Sequence, residues 1–167
     1  KLIGLGYAVT VLDSLSEQIH GKDPEKNSHL YLRIAGKVNF IKGDIINRSD
    51  VEKALEGQNA IIHLAAETGT GQSIYQIEKY THVNVYGTSL ILDVIVNTKN
   101  SVKKIILASS RAVYGEGKYI NSNSEMRYPN QRNSTTMQRG IFDMTEENGE
   151  ILQSLPTDEN SKLHPTS

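Results

Sequence analysis

AIIHLAAETGTGQS, residues 60–73, runs from an apolar segment through two small residues into a polar turn and then into a helical pattern. A strand that ends in small residues and hands over to a helix is where a doubly wound sheet holds a dinucleotide. A second apolar run, KIILASS at 104–110, follows one helical stretch later and ends in two hydroxyls just ahead of Val113-Tyr114-Gly115. The two runs together predict neighbouring strands whose C-terminal ends open on one crevice.

The chain on either side fits the same pattern. VTVLD at 9–13 is a short β-branched run ending in an acid, and Gly4 and Gly6 before it suit a helix C-terminus and the turn into a strand. Ser14 to Lys37 is polar, lacks firm periodicity and reads as a loop with a short helix around His29 to Ile34. Val38 to Ile41 is the next strand, ending at Gly43-Asp44. Ser49 and Glu52 have capping-box spacing ahead of Ala54 and Leu55, with Gly57 to close a short helix, and strand Ala60 to Leu64 follows. Ser73 and Gln76 repeat that spacing. Ile74, Ile77, Val85, Thr88, Leu92 and Ile95 fall near a 3.6-residue period, which predicts one long helix to about Asn97. Lys104 to Ala108 then returns as a strand. This alternation predicts an α/β fold with a mostly parallel sheet and right-handed crossovers. After Gly117 the texture changes: Asn, Ser, Gln and Arg dominate from Asn121 to Arg139, which reads as an inserted loop region.

Bulk properties narrow the function. A chain of 167 residues with 37% hydrophobic content can build one ordinary core. A formal net charge of -1 with no clustered Lys/Arg gives no field suited to a nucleic-acid backbone. No apolar run approaches the roughly 18 residues of a membrane span, and the first residues do not have the pattern of a signal peptide. With no cysteine, disulfides and thiolate sites are excluded, and a cytoplasmic setting is expected. No His or carboxylate cluster has metal-ligand spacing.

The strand ends carry the candidate chemistry. Asp13 stands where such folds put an acid to accept hydrogen bonds from the adenosine ribose, which favours NAD because a 2′-phosphate would be repelled. Asp44 could meet the adenine edge with Ile45 packing on the ring. Glu67 and Thr68, after Ala65-Ala66, could touch nicotinamide or sugar. Ser109 and Ser110 end the second apolar run, where one could hydrogen-bond a substrate hydroxyl or carbonyl. A serine there calls for a Tyr and a Lys four residues apart on a helix, the Lys lowering the phenol's pKa from about 10. Tyr75 to Lys79 lies in the wrong chain order, and Tyr114 to Lys118 spans Gly115 and Gly117, which disfavour a helix. His63, on an apolar strand, is expected to be a packed core residue. Arg111 could meet a diphosphate or simply a surface acid. Neither Gly69-Thr70-Gly71 nor Gly4-Leu5-Gly6 completes a dinucleotide fingerprint, since position 74 is Ile and Asp13 lies too close to Gly6. The phosphate loop is therefore expected upstream of Lys1.

The segments VLDSLS (11–16), KGDI (42–45), HLAAET (63–68), NVYGTS (84–89) and SSRAVYG (109–115) resemble, in order and spacing, the extended short-chain dehydrogenase/reductase family and its nucleotide-sugar 4-epimerases. AAETGTGQS followed by a helix and a long insertion is similar to dTDP-L-rhamnose 4-epimerase-like members. The resemblance implies a Rossmann-like, three-layer doubly wound sheet, incomplete at both ends. Residues 1–117 would be the NAD-binding part without its first strand and glycine loop, 118–157 an insertion, and 158–167 the lead-in to a Tyr-x-x-x-Lys helix.

It further implies roles residue by residue. Asp13 would bind the ribose, Asp44 and Ile45 the adenine, and Leu64, Ala65 and Ala66 the cofactor's centre. Asn84 would brace the nicotinamide side, Ser109 would contact the cofactor, Glu67 and Thr68 would contact the sugar, and Ser110 would be the catalytic serine. Arg111 and Ala112 stand where related dehydratases carry an Asp-Glu pair, which argues against dehydration. The implied partner is a nucleoside-diphosphate sugar, and the implied assembly a homodimer. The implied reaction is oxidation and re-reduction at C4 through a 4-keto intermediate; a reductase, a dehydratase or a noncatalytic dinucleotide-binding remnant are the alternatives. Residues 1–167 alone are expected to be inactive and to hold NAD weakly.

Overall fold

The computed structural model describes residues 1–166, which divide into two compact units, 1–108 and 109–166. The first opens with a 3-10 turn at Ile3–Leu5, closed by Gly6 in the left-handed region at φ +83°, and runs into strand β1, Thr10–Asp13. Three short helices follow where the sequence suggests mostly loop: α1 (Glu17–His20), α2 (Pro24–Asn27) and α3 (His29–Leu32). Four-residue helices leave almost no periodicity to find, and α2 announces itself only by its N-terminal proline. Strand β2, Asn39–Lys42, pairs with β1 in parallel, Thr10 opposite Asn39 and Asp13 opposite Lys42.

Helix α4, Arg48–Leu55, is capped by Asn47 and not by Ser49: the Asn47 Oδ1 accepts from the N–H groups of Ser49 and Asp50 at 3.0 and 3.4 Å. The capping-box residues therefore lie inside the helix. Strand β3, Ala60–His63, pairs in parallel with β4, Lys104–Leu107, with Ile62 opposite Ile106.

The stretch between these strands departs most from expectation. In place of one helix there are α5 (Thr70–Tyr75), α6 (Ile77–Thr81), a π-helical turn at His82–Gly87 and α7 (Thr88–Asn97). Gln76, at φ -119° and ψ 44°, breaks the first pair, so Gln76 lies at a helix boundary and Ser73 lies inside α5, not at the start of a helix. The extra residue of the π turn shifts the inward face. Leu90, Ile91 and Val94 are buried, whereas Ile74, Ile77, Val85 and Leu92 from the expected stripe are exposed.

The core of this unit lies between α4 and α7. Val51 and Val94, 1% and 0% exposed, meet Ile45, Leu55, Leu90 and Ile91, and Leu12 of β1 and Ile61 of β3 pack against them. A parallel sheet is normally covered on both faces. Here the residues alternate with that requirement half met: Ile62 and Ile106, next to the inward Ile61, are each 47% exposed. The β1–β2 and β3–β4 pairs are separate two-stranded sheets.

The second unit is not the plain loop its composition suggests. It carries strands β5 (Lys118–Ile120), β6 (Met126–Arg127) and β7 (Gln153–Leu155) in an antiparallel sheet ordered β6-β5-β7, with a short helix α8, Ser134–Gln138. Tyr119, Met144 and Leu152 form its small core. Strands of two and three residues are too short to show alternation in a polar sequence.

Candidate functional site

The C-terminal ends of β1, β2 and β3 open on a cleft of about 240 Å³ in the first unit. Asp13 and Leu12 line it from β1, Asp44 and Ile45 from the loop after β2, and Leu64, Ala65, Ala66, Glu67 and Thr68 from the loop after β3. Parallel strands place their C-terminal loops on the same edge, which is why residues far apart in sequence meet there.

Each wall is fixed by local hydrogen bonds. The Oδ1 of Asp13 accepts from the Leu15 N–H at 2.7 Å, closing a turn that puts the buried Leu15 at φ +53°. The Oδ1 of Asp44 accepts from the Ile46 N–H at 3.2 Å, and the Asp44 N–H donates to Asp50 Oδ2 at 3.0 Å. Asp50 lies so close to the chain here that a Cβ on Gly43 would stand 2.7 Å from its carboxyl carbon. Asp50 is thus a positioning residue that local sequence does not reveal.

The third wall is clamped from α6 and the π turn. Asn84 Oδ1 accepts from the Glu67 N–H at 2.8 Å while its Nδ2 donates to the Glu67 carbonyl at 3.1 Å. Lys79 Nζ pairs with the Glu67 carboxylate at 2.9 Å, and the Tyr80 hydroxyl donates to the Thr68 carbonyl at 2.6 Å. Asn84 therefore acts on the loop, not as a lining residue of the cleft. Its own carbonyl accepts from Thr88 Oγ1 at 2.7 Å, and Thr88 Oγ1 lies 3.0 Å from His63 Nε2. Since that hydroxyl proton is spent on Asn84, His63 donates. His63 is a buried core residue, as expected from its strand, and burial pushes its pKa below the ordinary range.

The serines begin the second unit. Ser110 precedes a 3-10 turn at Arg111–Tyr114 and caps it, its Oγ accepting from the Ala112 N–H at 3.1 Å. Ser109, Ser110 and Arg111 are exposed. Neither rejected Tyr/Lys spacing forms a pair: Tyr75 is 87% exposed while Lys79 is engaged by Glu67, and Lys118 lies 3.5 Å from Asp158. Among the described residues no group of three or more His, Asp or Glu is placed to hold a metal, and no helix is long and apolar enough to cross a membrane.

The cleft's donor set fits the adenosine half of a dinucleotide. Asp13, its side chain 43% exposed, has one carboxylate oxygen with no protein partner among the described residues. Ile45 and Leu64 offer apolar surface, and Ala65 and Ala66 leave room where longer side chains would fill the space. Among the cleft's residues, sequence reasoning missed Ser16, Gln18, Ile19 and His20 of the loop and helix after β1, and Val83 of the π turn. The only signal for the first group was their position just after Asp13.

Comparison with known proteins gives the family and the fold. The model of the NAD dependent epimerase/dehydratase family matches residues 1–136. The chain is 36% identical over 145 residues to a dTDP-L-rhamnose 4-epimerase from Burkholderia thailandensis, covering 86% of this chain and 39% of that protein. It is 33% identical over 122 residues to UDP-glucose 4-epimerase 3 of Oryza sativa, 70% of this chain and 31% of the relative. The crystal structure of UDP-glucose 4-epimerase from Brucella ovis in complex with NAD superposes with a TM-score of 0.55 at 29% identity, over 77% of this chain and 36% of that one. A dTDP-glucose 4,6-dehydratase from Streptomyces venezuelae, solved with NAD bound, gives 0.54 at 27% identity, over 75% and 39%. The chain thus spans under two fifths of the length of each of these proteins.

Proposed function

The chain belongs to the NAD dependent epimerase/dehydratase family, and from that premise we propose that it is the cofactor-holding part of a nucleotide-sugar 4-epimerase acting on a dTDP-L-rhamnose-type hexose. The observation that carries this reading is the gathering of Asp13, Asp44, Ile45 and Leu64 to Thr68 around one cleft. Asp13 accepts hydrogen bonds from the ribose, Ile45 and Asp44 receive the adenine, and Leu64 to Ala66 lie along the middle of the cofactor. Held by these residues, NAD would supply the hydride exchange at sugar C4 that epimerisation needs. By the same reading Ser110 holds the C4 oxygen for a general base of the Tyr/Lys type, a pair that neither spacing among the described residues supplies. Glu67 and Thr68 border the sugar. The identity to the rhamnose epimerase supports the substrate class, and Arg111-Ala112 in place of an Asp-Glu pair supports epimerisation over dehydration.

The bare face of β3–β4, with Ile62 and Ile106 each 47% exposed, supports a larger fold in which further helices cover it. The exposed Val85, Leu92 and Val96 suit the helix contact of a homodimer. A cysteine-free chain suits a cytoplasmic enzyme. The test is to incubate the protein, expressed from its complete coding sequence, with dTDP-L-rhamnose and follow the sugar ring protons by NMR. A C4 epimer with no accumulation of free NADH supports the proposal. NADH release points to a dehydrogenase, loss of water to a dehydratase, and NAD binding without turnover to a remnant.

A further inference from the structure

His20 is the one imidazole at the cleft, and nothing in the proposed chemistry uses it. It ends α1, its side chain is 9% exposed, and its two ring nitrogens face different partners. Nδ1 lies 2.8 Å from Ser28 Oγ, and Nε2 lies 3.6 Å from Asp13 Oδ1. Ser28 is buried and caps α3, its Oγ accepting from the Tyr31 N–H at 3.4 Å. With that acceptor role filled, the Ser28 hydroxyl proton is free to point at His20 Nδ1. Nε2 then carries the ring proton on the side of the Asp13 carboxylate, a polar contact at 3.6 Å that is longer than a hydrogen bond.

The consequence falls on the two oxygens of Asp13. Oδ1 already accepts from the Leu15 N–H at 2.7 Å, and it is the same oxygen that faces His20. Protein groups therefore crowd one oxygen and leave the other with no partner among the described residues. A lysine or arginine in that place would cancel the carboxylate with a permanent charge, whereas an imidazole adds an N–H without requiring one.

We propose that His20 is a positioning residue for the cofactor's adenosine ribose: with Leu15 it fixes Asp13 Oδ1, so that Oδ2 is presented to the ribose 2′-hydroxyl. This rests on the reading of the cleft as a dinucleotide site. Asp13 pays its orienting entropy before the ligand arrives, and the gain appears only in ligands that carry the hydroxyl it binds.

The test is a set of binding titrations on the protein from its complete coding sequence, with NAD and with its 2′-deoxyadenosine analogue as probes. His20→Ala should weaken NAD by up to about tenfold, the upper end of what one orienting polar contact contributes, and the analogue less than about twofold. His20→Gln, whose amide N–H reaches toward the place of Nε2, should recover NAD binding to within about threefold. In the Asp13→Asn background the His20→Ala effect should vanish, because the two act through one contact. Equal losses for both ligands in His20→Ala, with no recovery in His20→Gln, would make His20 a merely structural residue and overturn the proposal. An unchanged NAD affinity in His20→Ala would overturn it as well, while leaving the cofactor site intact. Failure of the unsubstituted protein to bind NAD would remove both the site and this role within it.

Discussion

Asn84 and Glu67 are joined as two edges of an amide pair, the side chain of one satisfying both backbone polar groups of the other at 2.8 and 3.1 Å. The bond ties the loop after β3 to the π turn, and so sets one wall of the cleft from a helix that does not line it at that residue. Asn84→Ala leaves the Glu67 N–H and carbonyl without this partner. A stability loss of about 1–2 kcal/mol is expected, the cost of two partly buried hydrogen bonds, with a larger proportional loss in NAD affinity. Asn84→Asp keeps the acceptor but not the donor and should fall between. Chemical denaturation and calorimetric titration of the three proteins check the order.

Ile45 is wedged against Gly87: a Cβ there would stand 2.6 Å from Ile45 Cδ1 and 2.8 Å from Cγ1. Gly87 has helical angles, φ -57° and ψ -44°, so the demand for glycine is one of space and not of backbone conformation. Gly87→Ala should cost about 1–3 kcal/mol by overpacking, and Ile45→Ala about 2–5 kcal/mol by leaving a cavity. In the double variant the new methyl occupies part of the vacated volume, so its loss should be well below the sum of the two. A double-mutant cycle from urea unfolding reads the coupling, and strict additivity would mean the two residues do not share the space.

His63 makes folding pH-dependent with a definite sign. Burial lowers its folded pKa below the ordinary 6.5, so in the window beneath 6.5 the unfolded chain binds more protons than the folded one. Its contribution is whole above 6.5 and is lost as pH falls through the lowered folded value. Stability measured from about pH 8 down to about pH 5 should decline with a slope of at most one proton, and His63→Gln should flatten that decline. The Gln amide can still donate to Thr88, which separates the titration from the loss of the hydrogen bond.

How much of this was legible in the sequence follows from where each residue's partners lie. Asp13, Asp44 and the 64–68 loop could be read because a parallel strand's end is a local signal, an apolar run stopping at small or acidic residues. The parallel pairing of β3 with β4 was readable for the same reason. The broken helix was not: Ser73 and Gln76 offer a capping box, but Gln76 itself sits at the break, and the π turn that follows ends at Gly87, which packs against Ile45 from another part of the chain. Asn47 displaced Ser49 as the cap because its carboxamide reaches two N–H groups at once. Asp50, His20 and Lys79 hold the site from other elements, and no local spacing betrays a contact made by the tertiary fold. The strands of the second unit stayed hidden because two or three residues cannot display a period.

Arg127 supplies the last expectation, in the second unit. Its guanidinium bonds both Glu125 and Glu146, the latter at 2.5 Å, while Asn121 Nδ2 donates to Glu125 at 2.9 Å and the Ser122 N–H donates to Glu150 at 2.6 Å. The Asn121 bond first, then Arg127, holds the Glu125 carboxyl below its ordinary 4.5, and the Ser122 backbone does the same for Glu150. Lowered carboxylates stabilise the fold above the unfolded value of 4.5, and that contribution disappears as pH falls through their folded values. Acid should therefore loosen this sheet in the native chain. Arg127→Met removes the cation from between Glu125 and Glu146 and leaves them with Glu150 as neighbouring like charges, whose protonation then relieves repulsion. Hydrogen exchange at the β5 and β6 amides should rise on acidification from about pH 6 to about pH 3 in the native chain, after correction for intrinsic rates, and rise less or fall in Arg127→Met. Parallel profiles in the two proteins would mean that the sheet is held by Tyr119, Met144 and Leu152 alone, with the charges merely arranged on its surface.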